Sequence, residues 1–325
     1  MPRRRELLLL AAGWVVQPAL AARHEQQVLF GSPCDLLVPE GTLQRLTEAV
    51  WRGLAAMNRE WNAWKPGELG ALNRAFAAGH ALRVSPALRH VVAGATAMEE
   101  KTGGCFNAAI GGLAAAWGFH VDVLTPGTHP RADALAPWTA PPPSLASLRT
   151  DGDRLRSIDP RVRLDLGGYA KGVALDWALD HLQRGGVAGA LLNLGGNLAA
   201  MGAAGTRPWR VGIRNPSGPG LVAELATRGR EAVVTSGIYE RFRVLDGERC
   251  THIIDPRSGR PAHAAASVTV VHRDAALADA AATALLVAGP RQAPSLAARM
   301  GLDQVLVIGA DGTRWCSPTL ATRLA

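Results

Sequence analysis

The sequence predicts a mixed α+β fold, and three observations lead to this class. Segments with the three- and four-residue spacing of amphipathic helices occur between segments with strand character. Their order lacks the regular strand–helix–strand period of a parallel α/β sheet. No internal repeat is visible, and 325 residues are enough for one large domain or two fused smaller ones with a sizeable core.

The start of the chain is predicted to be an export signal. Residues 1–5 are basic, residues 7–16 form an apolar stretch of about ten residues, and Ala19-Leu20-Ala21 is a small-residue cleavage site. The stretch is too short to span a bilayer. Arg4-Arg5 also resembles a twin-arginine signal. We therefore expect a periplasmic mature chain of residues 22–325 that is not an integral membrane protein.

The first half of the chain is predicted to contain one strand and two helices. Residues 27–38 have strand character, with an interruption at Gly31-Ser32-Pro33. Residues 42–61 carry apolar side chains at helical spacing. Ser85-Pro86 is an N-cap followed by proline at the first helical position, and Gly103-Gly104 ends the helix that begins there.

The second half is predicted to begin with a surface loop, because residues 125–143 are rich in Pro, Ala and Thr. Helices and strands follow it in an irregular order, which supports the α+β class. The predicted elements are strands at 162–166, 190–194 and 268–272, helices at 169–183 and 275–287, and a hairpin over 305–316 around Asp311-Gly312.

Composition and charge exclude several classes of protein. The net charge of +8 comes almost wholly from dispersed arginines, and nothing resembles a nucleic-acid-binding module, so we expect no nucleic-acid partner. The four cysteines show no CxxC spacing, which argues against a zinc site or a redox motif. A disulfide stays open in an oxidising compartment, with no pairing preferred.

A glycine-bearing cluster, residues 165–172, lies where a predicted strand turns into a predicted helix. Backbone N–H groups at such a helix start suit an anionic phosphate, and Lys171 adds a positive charge there. The alternative is a tight turn whose glycines serve geometry alone. The cluster matches neither a P-loop nor the dinucleotide-binding fingerprint.

Two further regions combine glycines with polar side chains. Gly195-Gly196-Asn197 ends a predicted strand, where glycines permit close approach of a ligand but more often mark a turn. Residues 235–241 and 251–259 gather hydroxyls, a histidine, an acid and arginines. On this pattern His252 is either a half-buried strand histidine or a functional group.

Asp279 and Thr283 stand four residues apart on a predicted alanine-rich helix. Positions i and i+4 share a helix face, so the carboxylate and the hydroxyl point the same way. Two hard oxygens and backbone carbonyls suit Mg²⁺, with phosphate and water completing its shell. The alternative is an acid that stabilises the helix dipole and a threonine that bonds to its own helix.

Taken together, these segments resemble the ApbE family of FAD:protein FMN transferases. The matching stretches follow the family's order and span nearly all of the predicted mature chain. They are residues 30–32, 64–69 with 72–73, 102–107 with 117–119, 165–172, 195–197, 208–210, 235–241, 252–259 and 278–283. The resemblance implies two fused T-fold-like α/β layers around a central FAD cleft.

The resemblance also implies roles for individual residues. His252 corresponds to the histidine implicated in catalysis. The residues that would line the FAD site are Phe30, Asn62, Ala63, Trp64, Cys105, Phe106, Asn107, Asp165, Lys171 and Ile254. The Mg²⁺ ligands would be Asp279, Thr283 and the backbone carbonyls of Gly168 and Ala282.

Four positions depart from the family pattern. Gly67 stands where serine is usual, Phe30 where methionine is common, and Asn107 where aspartate is common. Ala282 stands where some members have a second metal-binding aspartate. None of these changes removes a group that the implied chemistry requires, although fewer carboxylates imply a weaker metal site.

The implied activity is Mg²⁺-dependent transfer of the FMN half of FAD to a Ser or Thr hydroxyl of an acceptor protein, with release of AMP. The implied acceptors are exported domains of membrane electron-transfer complexes, such as Na⁺-pumping quinone reductases, Rnf-type complexes or the nitrous oxide respiration apparatus. Two alternatives share the same pocket: a periplasmic protein that stores FAD without transferring it, and a hydrolase that cuts FAD into FMN and AMP. His252, Lys171, Asp279 and Thr283 together favour catalysis, because storage needs no base beside the pyrophosphate.

Overall fold

A computed structural model describes residues 9–11, 14–16 and 22–325. The rest of the predicted export signal, within residues 1–21, lies outside the described residues. The helices in the described part of the chain are α1 Gln44–Glu60, α2 Glu68–Ala77, α3 Pro86–Thr102, α4 Gly111–Ala116, α5 Ala132–Leu135, α6 Ala170–Arg184, α7 Ala275–Met300 and α8 Pro318–Ala321.

The strands of the described part belong to one large sheet and several small ones. They are β1 Leu9–Ala11, β2 Trp14–Val16, β3 Ala22–Leu29, β4 Ser32–Pro39, β5 Leu82–Arg83, β6 Leu148–Asp151, β7 Arg154–Ser157, β8 Ala190–Leu194, β9 Asn197–Met201, β10 Arg210–Arg214, β11 Leu221–Ala226, β12 Glu231–Gly237, β13 Phe242–Leu245, β14 Glu248–Thr251, β15 Ile254–Asp255, β16 Arg260–Pro261, β17 Ala265–His272, β18 Val305–Gly309 and β19 Arg314–Cys316.

The centre of the fold is an eight-stranded antiparallel sheet in the order β19-β18-β17-β12-β9-β8-β4-β3. Successive side chains of a strand point to opposite faces, so Leu191 and Leu192 serve two different cores. Leu192 packs in the large cluster with the helices, and Leu191 packs with Trp209 and Val211 beneath the small sheet that contains β10 and β11. Each fully buried leucine contributes roughly 2 kcal/mol.

Most predicted elements are confirmed, and with them the α+β class. Three differ. Residues 27–38 belong to a hairpin instead of one interrupted strand, because Phe30 and Gly31 both adopt positive φ, 53° and 71°, and turn the chain between β3 and β4. Residues 162–166 form no strand, since their backbone bonds run to Asp159, to residues 108–111, to the Asn73 side chain and to the start of α6, all outside the sheet. Helix α7 continues past the predicted end, with a break at Gly289, to Met300.

The predicted loop at 125–143 is an excursion that packs against the fold. It contains α5, and the indole of Trp138 lies where a Cβ on Gly112 would be 2.2 Å from its ring. Asn107 Nδ2 donates to the Pro143 carbonyl at 2.8 Å. The excursion therefore covers α4, and contacts at Trp138 and at Pro143 hold its second half in place.

Two general properties of the described residues bear on the expectations above. None of their helices combines the length and the apolar character needed to cross a bilayer. The four cysteines are free thiols, with Cys34, Cys105 and Cys250 buried and Cys316 half-buried. The open question of a disulfide is thus answered for this structure.

Candidate active site

The turn at Gly168 begins helix α6. The extended residues before it are held by the backbone N–H of Asp165, which donates to the Ala108 carbonyl at 2.8 Å. The Leu166 carbonyl then accepts from the N–H groups of Tyr169 and Ala170, which closes the first helical turn. No side chain caps this helix start, but the N–H groups of Tyr169, Ala170 and Gly172 already have protein partners, so the turn offers a ligand mainly the positive end of the helix dipole.

Helices α6 and α7 cross in close contact behind that turn. A Cβ on Gly172 would lie 2.3 Å from the carbonyl oxygen of Ala275, so only glycine fits there. The N–H of Gly172 donates to Asp279 Oδ2 at 3.0 Å. The crossing therefore brings the Asp279 carboxylate, which is 3% exposed, directly against the first turn of α6.

The structure brings the predicted metal ligands together. A Cβ on Gly168 would lie 3.0 Å from Thr283 Oγ1, and Ser236 Oγ lies 3.4 Å from the same oxygen. Ala282 is fully buried in α7 beside Thr283. The Gly168 turn, the Asp279 carboxylate and the Thr283 hydroxyl thus form one polar cluster at the helix crossing.

This polar cluster suits a divalent cation on chemical grounds. Burial raises the pKa of Asp279, and the charge of Lys171 and the Gly172 N–H oppose that effect. The Asn197 side chain is buried beside Asp279, and its amide also opposes the effect of burial on this pKa. Among the described residues no three His, Cys, Asp or Glu side chains cluster as a metal site, so an ion here relies on one carboxylate, a hydroxyl and backbone carbonyls.

His252 follows β14 and is held by one backbone carbonyl. The oxygen of Arg241 accepts from the backbone N of His252 at 3.1 Å and from Nδ1 at 2.9 Å. A carbonyl only accepts, so Nδ1 carries the proton and Nε2 of the neutral ring keeps its lone pair. The ring of Phe119 packs edge-on at 6.4 Å.

The protein environment keeps this imidazole neutral. Exclusion of water lowers the pKa of His252 to about 4, and the positive charges of Lys171 and Arg241 act in the same direction. The Arg241 carbonyl opposes them. At neutral pH the ring is therefore a proton acceptor through Nε2.

Asp165 and Trp64 meet through a histidine that the sequence prediction missed. Asp165 Oδ2 lies 2.9 Å from His120 Nε2, and its other oxygen accepts from the Gly167 N–H at 2.9 Å. The ring of His120 stacks on Trp64 at 5.0 Å between centroids. Burial acts to raise the pKa of Asp165, but these hydrogen bonds outweigh it and hold the pKa below its usual value.

Phe30 and the residues before Trp64 have local structural roles. The N–H of Phe30, in its positive-φ turn, donates to Asn58 Oδ1 at 3.0 Å. Asn62 Oδ1 accepts from the backbone N of Trp64 and Lys65, while Ala63 between them is half-buried. These contacts hold the loop that presents Trp64.

The remaining predicted FAD residues divide into two groups. Phe106 contacts the turn, because one of its ring carbons lies 3.4 Å from where a Gly168 Cβ would stand. Cys105 is buried beside it, and burial raises the pKa of its thiol. The side chains of Asn107 and Ile254 have other contacts. Asn107 bonds to the backbone of Ala109 and of the excursion, and Ile254 packs in an apolar cluster.

Glu240 and Lys171 introduce two more charges into the cleft. Desolvation by the surrounding protein raises the pKa of Glu240 to about 7, although the residue is exposed by its surface area. The positive charges of Lys171 and Arg214 oppose this shift. Lys171 is half-buried in the first turn of α6, where its charge also acts on Asp279 and His252.

Comparisons with known proteins agree on one family. The ApbE family profile matches residues 30–306. An "FAD:protein FMN transferase" of Rhodobacter capsulatus is 43% identical over 322 residues, which cover 98% of this chain and 61% of that protein. One of the same name from Klebsiella pneumoniae is 31% identical, over 88% of this chain and 84% of that protein.

A solved structure extends the match to the fold. The crystal structure of an ApbE protein from Thermotoga maritima aligns with a TM-score of 0.84 at 26% identity, covering 93% of this chain and 99% of that one. The chain spans about three fifths of the length of its Rhodobacter capsulatus relative, 61%, so residues of that relative have no counterpart here.

Proposed function

The chain belongs to the ApbE family, and we propose that it transfers the FMN part of FAD to a Ser or Thr hydroxyl of another protein, with release of AMP. One observation carries the proposal. The Gly168 turn lies against Thr283 Oγ1, and the Gly172 N–H of the same helix start donates to Asp279 at 3.0 Å. The positive charge of Lys171, which lies in the same turn, acts on His252. A phosphate turn, a pair of hard oxygens and a base thus meet in one cleft.

The transfer is a substitution at phosphorus. The acceptor oxygen forms a bond to the FMN phosphorus of FAD, the bond from that phosphorus to the bridging oxygen breaks, and AMP departs with the electron pair. Lys171 offsets the negative charge of the diphosphate that would repel the oxygen nucleophile. The N–H groups that open α6 contribute further partial positive charge.

The proton of the acceptor hydroxyl goes to His252. Its Nε2 is the free acceptor because Nδ1 donates to Arg241, and its neutral state at working pH follows from the lowered pKa. A base of pKa near 4 is weak. In a loose transition state, however, the bond to the leaving group weakens before the acceptor oxygen has formed much of its new bond, so a weak base is sufficient to accept the proton.

Mg²⁺ is part of the proposal. Asp279, Thr283 and the carbonyls of Gly168 and Ala282 would hold it, and the negative charge of the buried Asp279 carboxylate supports a cation there. When bound, Mg²⁺ would neutralise the diphosphate and stabilise the AMP that leaves.

We place the reaction in the periplasm, with an exported domain of a membrane electron-transfer complex as the acceptor. The support is the basic, apolar and small-residue order of residues 1–21 and the family's implied acceptors. Fusing residues 1–21 to a reporter enzyme that is active only after export would test the location.

The activity is tested by incubating the protein with FAD, Mg²⁺ and an exported acceptor domain of an Rnf-type complex. Flavin fluorescence that stays with the acceptor in a denaturing gel is the expected result. A dark acceptor with tight FAD binding would favour storage. A dark acceptor with FMN and AMP in solution would favour hydrolysis.

A further inference from the structure

An apolar surface borders the cleft beside His252. It consists of residues 62–65 and 119–124, and we call it the lip. Trp64, Val121 and Val123 are 37%, 43% and 77% exposed, and they are three of the seven large apolar side chains that are exposed in the described part of the chain. Apolar side chains gathered at the edge of a cleft are typical of a binding surface.

Polar contacts of Arg241 and Lys65 hold the lip in place. Arg241 Nη2 donates to the carbonyls of Phe119 at 2.8 Å and Val121 at 2.6 Å, and its guanidinium lies 5.7 Å from the centre of the Trp64 ring. Lys65 Nζ pairs with Asp122 at 2.7 Å and ties the two segments together. A surface that is already ordered pays little further entropy when a partner covers it.

The lip and the base are connected through the same residue. The Arg241 side chain holds the lip, while its carbonyl accepts from His252 Nδ1 at 2.9 Å. Phe119, the first residue of the lip's second segment, also contacts the His252 ring. A folded protein that presents a hydroxyl to His252 therefore has to cover the lip, since a stable partner buries on the order of 800 Å² of each surface.

We propose that the lip is the docking surface for the acceptor protein and that Val121 and Val123 receive apolar side chains that flank the modified hydroxyl. The inference rests on the proposed transferase function. Trp64 of the lip also belongs to the predicted FAD site, whereas Val121 and Val123 are outside the predicted FAD and metal residues, so we assign the two valines to acceptor binding.

The test uses the full chain, FAD, Mg²⁺ and the exported acceptor domain of an Rnf-type complex as the probe. In Val121→Ser/Val123→Asp we expect the KM for the acceptor to rise about tenfold, because an apolar anchor is replaced by a solvated charge. We expect kcat at saturating acceptor to stay within about twofold, as for lost uniform binding. The Kd for FAD, measured by flavin fluorescence, should not change.

Ile158→Asp is the matched control, because Ile158 is an exposed apolar residue of a different region, at 56% exposure. It should leave all three constants unchanged. An unchanged acceptor KM in the lip variant, with the wild type active, would overturn the docking proposal and leave the transferase function intact. A wild-type chain that never labels the acceptor would refute the function and the docking surface together.

Discussion

The two sides of the cleft are built by different means. The side with the predicted metal ligands, which we call the metal side, is a helix crossing, in which Gly172 lets α6 approach α7 and Asp279 accepts from the α6 backbone. The side that contains His120, Trp64 and Arg241 is built from loops, in which side chains reach carbonyls and carboxylates far away in sequence. The helix crossing should therefore be most sensitive to substitutions that add volume or remove charge. The loop-built side should be most sensitive to substitutions that remove hydrogen bonds.

The largest expected effect is on the metal side. Asp279→Ala should lower transfer by at least about a thousandfold, because the buried carboxylate is the one charged ligand of the predicted metal site. Asp274→Ala is the control on the same helix: it removes the cap bond to Leu277 N and should cost only about 1 kcal/mol of stability. For both variants, acceptor labelling measures the transfer rate, and isothermal titration measures the affinity for Mg²⁺. Full activity in Asp279→Ala would remove this residue from the site.

The helix crossing can be tested without reference to activity. In Gly172→Ala the new Cβ meets Ala275 O, a backbone atom that cannot move aside, so the free energy of unfolding should fall by about 3 kcal/mol. Gly41→Ala, at a position with no atom within 4 Å of the new Cβ, should be close to neutral. The free energy of unfolding of both variants is measured by urea denaturation. Equal stability of the two variants would mean that the helices do not approach as closely as described.

The proposed base, His252, belongs to the loop-built side, where the expected effect on rate is smaller. His252→Ala should lower kcat about a hundredfold while FAD still binds, because it removes only the proton acceptor. The exposed His80→Ala should have no effect. A His252→Ala variant with normal kcat would assign the proton to another group.

The pH dependence sharpens this assignment. A lowered pKa keeps His252 neutral until the pH falls to about 4, so kcat/KM for FAD should be retained through neutral pH and lost only near pH 4, not near the ordinary histidine value of about 6.5. The measurement is best made in Glu240→Gln, because Glu240 has a pKa of about 7 and titrates in the same cleft. An acid limb near 6.5 in that variant would contradict the neutral, desolvated imidazole.

The smallest expected effect tests His120. His120→Phe keeps a ring to stack on Trp64 but loses the bond to Asp165, so we expect FAD affinity to fall about tenfold, equal to one lost charge-assisted hydrogen bond. His90→Phe, exposed on α3, is the matched control. Unchanged affinity in His120→Phe would show that Asp165 needs no partner.

The sequence was most informative where chemistry is local. The Gly168 turn and the i,i+4 pair of Asp279 and Thr283 are each contained in one short segment, so their geometry follows from helix periodicity and glycine content. His120 was missed because a single histidine after Trp117-Gly118-Phe119 carries no signal until a residue 45 positions away accepts its hydrogen bond. Arg241 was seen as part of a polar stretch but without its two roles, for the same reason.

Residues 162–166 show the limit for secondary structure as well. Their composition is that of a strand, yet their backbone finds its partners in neighbouring loops and in the Asn73 side chain, and the central sheet takes β4 beside β8 instead. Which segment joins a sheet depends on the competition among all apolar segments for one set of edges, and local propensity does not contain that information.

By itself the sequence determined the α+β class, the Gly168 turn at the start of a helix, the oxygen pair on α7 and the family, because each depends on spacing within a segment or on the order of segments. Only the tertiary structure decided that these parts share a cleft, that the Arg241 carbonyl leaves Nε2 of His252 as the free acceptor, and that His120 joins Asp165 to Trp64. The physical reason is that contacts between distant segments depend on how whole helices and sheets pack, where one glycine such as Gly172 sets the distance.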